Sequence, residues 1–451
     1  MELCNYLGSN KYKTSAFCII IDLPIDSNNF IHNLNDNQYS LYLHEYMHFL
    51  QDISTAYGLM KLSNTLLYTK AQAVYAIDKK IKEIKVPAYV SSDIKSYSYV
   101  KRNFSILPTY IGDTTKSILR NCHNFNNKEI RIISYKEKEI IKPNINDKIK
   151  YLELIIEDNK NNRANVIFGG EIICENMASL VEREYVRNVC NNQNSSTNEY
   201  PYYLAEKLAK YIYPELERLS NEYFFLMMDL CLTETFNPGY VFYLLVKELK
   251  KANFINNIND NDLLNIFNKI TNGGRYKLHE IYEEINYEIE QVFYLPMFEG
   301  NKEWLKTEFK RLSFLRQNKL IMRCFMQYNN QKISRTAKMI MDILGHPTIK
   351  NDAYEAIIKP PSHAFHFHQV QNISLWYFEA YKEVFLALNN KNYKCQMYND
   401  CFRSKIIKTK VDDTEMCPEQ IKIYNATTTN SLCPFGVFWR SLGLWGKKVA
   451  L

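Results

Sequence analysis

The order of apolar and polar positions changes period several times along the chain. Near the start, Ala16-Phe17-Cys18-Ile19-Ile20-Ile21 is a short apolar run stopped by Pro24, which predicts a buried or edge strand within Tyr12 to Leu23. The Asn/Asp-rich turn from Asn33 to Asn37 offers N-caps. From Gln38 to Tyr57 the apolar residues recur at helical spacing, and Gly58 is the expected stop. A second helix is predicted from Met60 to Ile84.

The pattern then changes. Between Val86 and Phe168 the chain is punctuated by Pro87, Pro108 and Pro143. Strand-like alternation occurs at Ile130 to Tyr135, Tyr151 to Ile156 and Ala164 to Phe168, with Asp158-Asn159-Lys160-Asn161-Asn162 as a hairpin tip. After Gly169-Gly170 helical spacing returns, over Glu171 to Val189, Tyr203 to Ile212, Asn221 to Thr235, Tyr240 to Lys251, Asp260 to Ile270, Lys277 to Val292, Lys302 to Met326 and Gln371 to Leu388. Asn237-Pro238-Gly239 breaks two of these apart. From Tyr393 the sequence is irregular.

These elements predict an α+β fold, predominantly helical, in four stretches. Residues 1–85 hold a strand and a helix, 86–168 a partly β insertion, 169–392 a helical region, and 393–451 an irregular segment rich in Cys and aromatic residues.

Composition narrows the classes. With 451 residues, 34 Tyr and 24 Phe, the chain can bury a large core. A net charge of +7 spread over that length is a mild excess, so a nucleic-acid partner is not expected. No apolar run reaches the ~18 residues of a membrane helix, and Met1-Glu2-Leu3-Cys4 does not open a signal peptide. A cytoplasmic location with reduced thiols is the expectation.

Candidate chemistry concentrates in Tyr42-Leu43-His44-Glu45-Tyr46-Met47-His48-Phe49-Leu50. Four residues is about one helical turn, so His44 and His48 present their imidazoles on one face and can share a Zn²⁺ at about 2.0–2.1 Å. Glu45 lies about 100° round the helix, beside the ion, where a carboxylate can take a proton from water and pass it to a leaving amine. The neighbours of the pair are uncharged, as a buried metal-bearing helix requires.

This segment resembles the zinc-binding helix of the zincin metallopeptidases. Asp52-Ile53-Ser54-Thr55-Ala56-Tyr57-Gly58 contains no His, which excludes the metzincin third ligand. The downstream segment Gly169-Gly170-Glu171-Ile172-Ile173-Cys174-Glu175-Asn176-Met177-Ala178-Ser179 is similar to the gluzincin Glu-x-x-Ala helix. The resemblance implies a zincin-like catalytic core with a small sheet, Glu175 as third ligand, Glu171 as runner-up, and Glu45 as general base. Small Ala178 and Ser179 would let the two helices approach closely. Ser179 stands where a thermolysin-like arrangement has an Asp orienting a zinc histidine, so Asp52, four residues after His48, is the other candidate for that supporting role. The insertion between the two helices is long for a gluzincin and is expected to sit beside the cleft.

Two further groups are candidates for chemistry. His363, His366 and His368 follow a Pro-Pro break, and one of them could donate a hydrogen bond to an oxyanion. Tyrosine could do the same, but 34 tyrosines give no basis for choosing. Cys395, Cys401, Cys417 and Cys433 are too widely spaced for the Cys-x-x-Cys pairs of a zinc ribbon, and read as free thiols. The expected function is a zinc-dependent peptidase acting on a protein or peptide, with the strand before the active-site helix pairing with an extended substrate. The alternative is a zincin scaffold used for binding without peptidase activity.

Overall fold

The structure, a computed structural model, describes residues 11–14, 16–21, 34–77, 83–88, 106–141, 148–190, 198–253, 258–271, 278–329, 332–350, 356–357, 376–403, 416–427 and 433–450. It is predominantly helical with four small sheets among these residues, as the periodicity predicts. Strands β1 (Lys11–Lys13) and β2 (Cys18–Ile20) are followed by helices α1 (Asp36–Ser54) and α2 (Ala56–Ile77) and strand β3 (Glu83–Lys85). Helix α3 (Thr115–Asn121) precedes strands β4 (Ile130–Ile141), β5 (Lys148–Asp158) and β6 (Arg163–Phe168). A run of helices comes next: α4 (Gly170–Asn188), α5 (Leu204–Ile212), α6 (Asn221–Glu234), α7 (Pro238–Ala252), α8 (Asp260–Ile270), α9 (Leu278–Val292) and α10 (Glu299–Leu315).

After the short hairpin β7 (Tyr328–Asn329) and β8 (Lys332–Ile333) come helix α11 (Arg335–Leu344) and strands β9 (Thr348–Lys350) and β10 (Ala356–Ile357). The described chain ends with helices α12 (Trp376–Asn389), α13 (Tyr398–Arg403), α14 (Pro418–Tyr424) and α15 (Pro434–Ser441) and strand β11 (Lys448–Ala450). Buried apolar residues from all four stretches belong to one continuous core. Helix α1 runs inside that core, packed against α2, α4, α6 and α10, and only two of its residues from Ser40 to Ser54 escape burial.

Local chemistry sets the limits of α1. Asn35 accepts a hydrogen bond from the Gln38 N–H, and Gln38 Oε1 accepts one from the Asn35 N–H, a reciprocal cap that fixes the first turn. The helix ends at Thr55, whose backbone is extended, and not at Gly58. Thr55 Oγ1 donates to the Gln51 carbonyl at 2.6 Å and accepts from the Gly58 N–H at 3.0 Å, so one hydroxyl closes α1 and opens α2. Gly58 is glycine for a different reason than a stop. A Cβ there would lie 2.3 Å from the Gln51 carbonyl oxygen, against the back of α1.

Other boundaries differ from the sequence pattern for identifiable reasons. The second helix stops at Ile77, and Glu83–Lys85 pairs in parallel with Lys448–Ala450, a partner from the far end of the chain. Strands β4 and β5 are longer than predicted because their outer halves, such as Lys136-Glu137-Lys138-Glu139, are solvated ladder positions without an apolar face. The helix predicted to Met326 ends at Leu315 and gives way to a 3-10 turn over Ile321–Met326. The hairpin tip is where it is predicted, with Asp158 accepting from the Lys160 and Asn162 N–H groups at 2.8 Å each. The C-terminal stretch, read as irregular, contains three short helices among its described residues.

Two buried charges hold the far end of α1. Arg316 donates to both Asp229 oxygens, at 2.7 and 3.0 Å, and to Ser54 Oγ at 2.9 Å, which ties α6 and the end of α10 to the last turn of α1. Asp229 is fully buried, so removing it strands a guanidinium in the core. Asp229→Ala is expected to lower unfolding free energy by about 3–5 kcal/mol, read from denaturant midpoints at constant slope.

Glu308 on α10 is the opposite case. Burial pushes its carboxyl up to about 8, with Arg311 only partly offsetting the effect. Between about pH 4.5 and 8 the folded chain therefore keeps a proton that the unfolded chain releases, and stability falls as pH rises through that window. Glu308→Gln should raise the thermal midpoint relative to the parent at pH 8 and converge with it below pH 4.5, measured by calorimetry across that range.

Candidate metal centre

Helix α1 supplies two of three converging donors. His44 and His48 stand one turn apart, and their Nε2 atoms are 3.3 Å from each other. The third comes from α4, which packs along α1. Glu175 Oε2 lies 3.5 Å from His44 Nε2 and 3.4 Å from His48 Nε2. Small Ala178 and Ser179, both buried, permit the close approach, and Gly170, where a Cβ would fall 2.3 Å from the Tyr57 ring, lets α4 close on α2. The three edges match those of a tetrahedral site, since ligand bonds of about 2.0–2.1 Å give donor–donor separations of about 3.3–3.4 Å. Among the described residues this is the one His/Cys/Asp/Glu group with its donor atoms within 4.8 Å of one another.

The other imidazole nitrogens are also committed. His44 Nδ1 donates to Glu182 Oε2 at 2.9 Å. His48 Nδ1 donates to Gln51 Oε1 at 2.9 Å, and Gln51 Nε2 donates in turn to the Cys174 carbonyl at 3.0 Å. That second bond orients the amide and places its oxygen toward His48. With both Nδ1 protons held, it is the Nε2 atoms that face the centre, so a metal displacing the Nε2 protons would meet both lone pairs.

The structure brings Glu182 and Gln51, not Asp52 and Ser179, to the histidines. Asp52 acts at one remove: Tyr12 donates to its Oδ2 at 3.0 Å and stacks on His48 at a centroid distance of 6.5 Å. Ser179 is buried in the helix contact, and its hydroxyl has no partner among the described residues. Glu171 is taken up by Tyr57 Oη at 3.0 Å and Lys61 Nζ at 2.6 Å, which leaves Glu175 as the free carboxylate of that helix face. His363, His366 and His368 lie outside the described residues.

Electrostatics follow from the geometry. Burial disfavours charge on His44, but hydrogen bonds to Glu175 and Glu182 outweigh it and hold its pKa well above the ordinary value. Burial and the Glu175 charge compete in the same way at His48, with the same net direction. Burial alone would raise Glu175, yet the two imidazoles hold its carboxyl far below the usual range. Glu45 moves the other way. Only 7% exposed and with no hydrogen-bond partner among the described residues, it is pushed up by burial against the lowering pull of His44 and His48.

One residue at the site carries no signal in the sequence pattern. The Tyr202 ring meets His44 edge-on at a centroid distance of 5.8 Å, and its hydroxyl is pushed up by burial and by Glu175, Glu45 and Glu182. Its position is set from α4. Asn176, next to Glu175, accepts from the Ala205 and Glu206 N–H groups at 2.8 and 3.2 Å. Arg183, next to Glu182, pairs with Glu206 and lies 3.8 Å over the Tyr203 ring.

No protein-family model, curated protein or solved structure matches this chain. Among the described residues no helix is long and apolar enough to cross a membrane.

The supporting hydrogen bonds lead to a quantitative expectation. Glu182→Ala leaves all three donors in place and should weaken binding of a divalent metal at this site by about 10–100-fold, whereas His48→Ala should abolish it. Competition titration against a chromophoric chelator distinguishes the two.

Proposed function

We propose that this chain is a zinc-dependent peptidase. The observation that carries the reading is the His44–His48–Glu175 triangle, whose 3.3–3.5 Å edges suit a tetrahedral ion and which has three protein donors among the described residues. Glu175 keeps 31% of its side-chain surface, so the group is open on one side, as a hydrolytic centre must be. Zn²⁺ bound there would supply Lewis acidity for water and for a carbonyl.

The chain's own groups account for the proton traffic. Glu45, with its carboxyl raised by burial, takes the proton of the attacking water and returns it to the leaving amine. Tyr202, whose hydroxyl remains protonated, donates to the developing oxyanion. Glu182 and Gln51 hold the two imidazoles so that neither rotates during turnover.

A peptide substrate is favoured by the position of the small sheet. Strand β2, read from sequence as the pairing strand, is flanked on both sides by β1 and β9 and offers no edge. Among the described residues one of the two sheet edges is β1, and its central residue Tyr12 stacks on His48. An extended chain added to β1 would pass beside the metal centre. We infer a cytoplasmic protease of narrow specificity.

Zinc-loaded protein incubated with a diverse peptide pool should yield discrete cleavages by mass spectrometry. Glu45→Gln should keep its zinc and lose about 10²–10⁴-fold in rate. Tyr202→Phe should keep both zinc and KM and lower kcat by about 10²–10³-fold. Undiminished cleavage by the zinc-loaded Glu45 variant would defeat the proposal, and no cleavage by the parent of any pool would favour a binding scaffold.

A further inference from the structure

Strand β1, beside the metal centre, is held in place by its side chains as well as by its ladder. It is three residues long, and its register sets Lys11 opposite Ile20, Tyr12 opposite Ile19 and Lys13 opposite Cys18 of β2. Successive side chains on a strand leave it on opposite faces, so Tyr12 and Lys13 reach different parts of the molecule. Lys13 Nζ pairs with Glu379 Oε1 on α12, and Glu379 Oε2 takes Lys350 of β9. Glu379 is buried, so this anchor lies inside the core. Tyr12 goes to α1 instead. Its hydroxyl donates to Asp52 Oδ2 at 3.0 Å, and its ring lies over His48 with 6.5 Å between centroids and 20° between planes. His48 and Asp52 are one helical turn apart on the same face, and Asp52 is buried. One side chain therefore spans the interval from the sheet edge to a metal ligand.

What this link does follows from how little the edge offers by itself. In an antiparallel pair the residues turn their N–H and C=O groups alternately to the partner and outward, so three residues present only one or two rungs to an incoming chain. A chain added there could slide by two residues and keep every side chain on its face. Such a step moves it about 6.6–6.8 Å, since a strand rises about 3.3–3.4 Å per residue. Reacting atoms must stand about 3–3.5 Å apart, so main-chain pairing alone would bring more than one bond to the centre in turn. Tyr12 limits that freedom. The incoming residue opposite it lies on the same face, beside the ring, with Cβ atoms about 4.5–5.5 Å apart. Because Asp52 holds the far end of the ring, that face is a fixed wall.

We propose that Tyr12 is a positioning residue: held by Asp52, it sets the register of an extended peptide on the β1 edge, so that the peptide residue opposite Tyr12 faces the metal centre. Aromatic and β-branched side chains pair best with a tyrosine across strands, and the peptide carries one of these at that position. The assignment takes its substrate class from the peptidase reading and adds to it the group that chooses the bond.

The test uses the full zinc-loaded chain and a pool of short unstructured peptides. Tyr12→Phe keeps the ring, loses the bond to Asp52 and should retain zinc. Its kcat at the parent's preferred bond should fall by about 10–10²-fold, with new cuts two residues to either side. Asp52→Ala should behave alike, and the double variant no worse than either alone. Asp52→Asn should restore the parent's cuts, because an amide oxygen still accepts the bond. A merely structural role for Tyr12 would lower the rate without changing which bonds are cut, and that result would overturn the assignment.

Binding is read separately, with Co²⁺ in the Glu45→Gln chain and the most tightly held peptide of the pool. Paramagnetic broadening of the peptide's NMR signals should centre on one residue, and in Tyr12→Phe/Glu45→Gln should spread to residues two positions away. A single-residue centre that spreads in this way, with no cleavage by the parent, would defeat the peptidase reading and leave the register assignment standing. Cuts or broadening left unchanged by Tyr12→Phe would overturn the assignment, as would the absence of any bound peptide.

Discussion

Two imidazoles and a carboxylate meeting within 3.3–3.5 Å at the α1–α4 contact is the constraint around which the molecule is arranged. Helical spacing supplies the histidine pair without help, because residues four apart share a face. The carboxylate must come from another element, and its reach is short, so the helix axes have to be held close. Small residues on α4 permit that approach, and the Arg316–Asp229–Ser54 bonds and the Thr55 hydroxyl hold the end of α1 in register. Slippage of either helix by even part of a turn would separate the donors, since one residue of rise is about 1.5 Å.

The same contact decides which carboxylate becomes the third donor. Helix α4 carries Glu171 toward α2 and Glu175 and Glu182 toward α1, and each has a different partner. Lys61 and Tyr57 engage Glu171, the His44 Nδ1 proton engages Glu182, and Glu175 is left facing both Nε2 atoms. Selection is thus made by pairing off the alternatives, not by proximity alone. Further along, Asn176 and Arg183 alternate with these glutamates and fix the segment bearing Tyr202, so one helix builds the ligand, its support and the phenol.

What could be read from sequence follows the range of the interactions. His44, Glu45 and His48 are local, and their spacing together with uncharged neighbours is enough. Glu175 could be found because small residues next to a carboxylate mark a close helix contact. Gln51 could not, as an amide three residues from a histidine is common and gains meaning only from its bond to the Cys174 carbonyl. Tyr202 is one of 34 tyrosines, and its placement rests on caps made by another helix. Glu83–Lys85 reads as a helix end because the strand it pairs with lies at Lys448–Ala450. The four C-terminal cysteines, spaced too widely for a zinc ribbon, are joined by no disulfide and form no metal-ligand cluster among the described residues, as that spacing implies.

Glu45 bears on the choice between a structural and a hydrolytic centre. A structural zinc site closes its tetrahedron with protein donors, and second ligands of the histidines are then sufficient company. Here a nearly buried carboxylate stands beside three donors without a hydrogen bond from any described residue. Burying such a group is unfavourable unless something meets it, and the charges of Glu175 and Glu182 add to the cost. The arrangement becomes reasonable once the missing partner is a water or a substrate amine on the open side of the triangle. The proposed peptidase reading uses this carboxylate as its base, whereas a site built only to hold an ion would have no use for it.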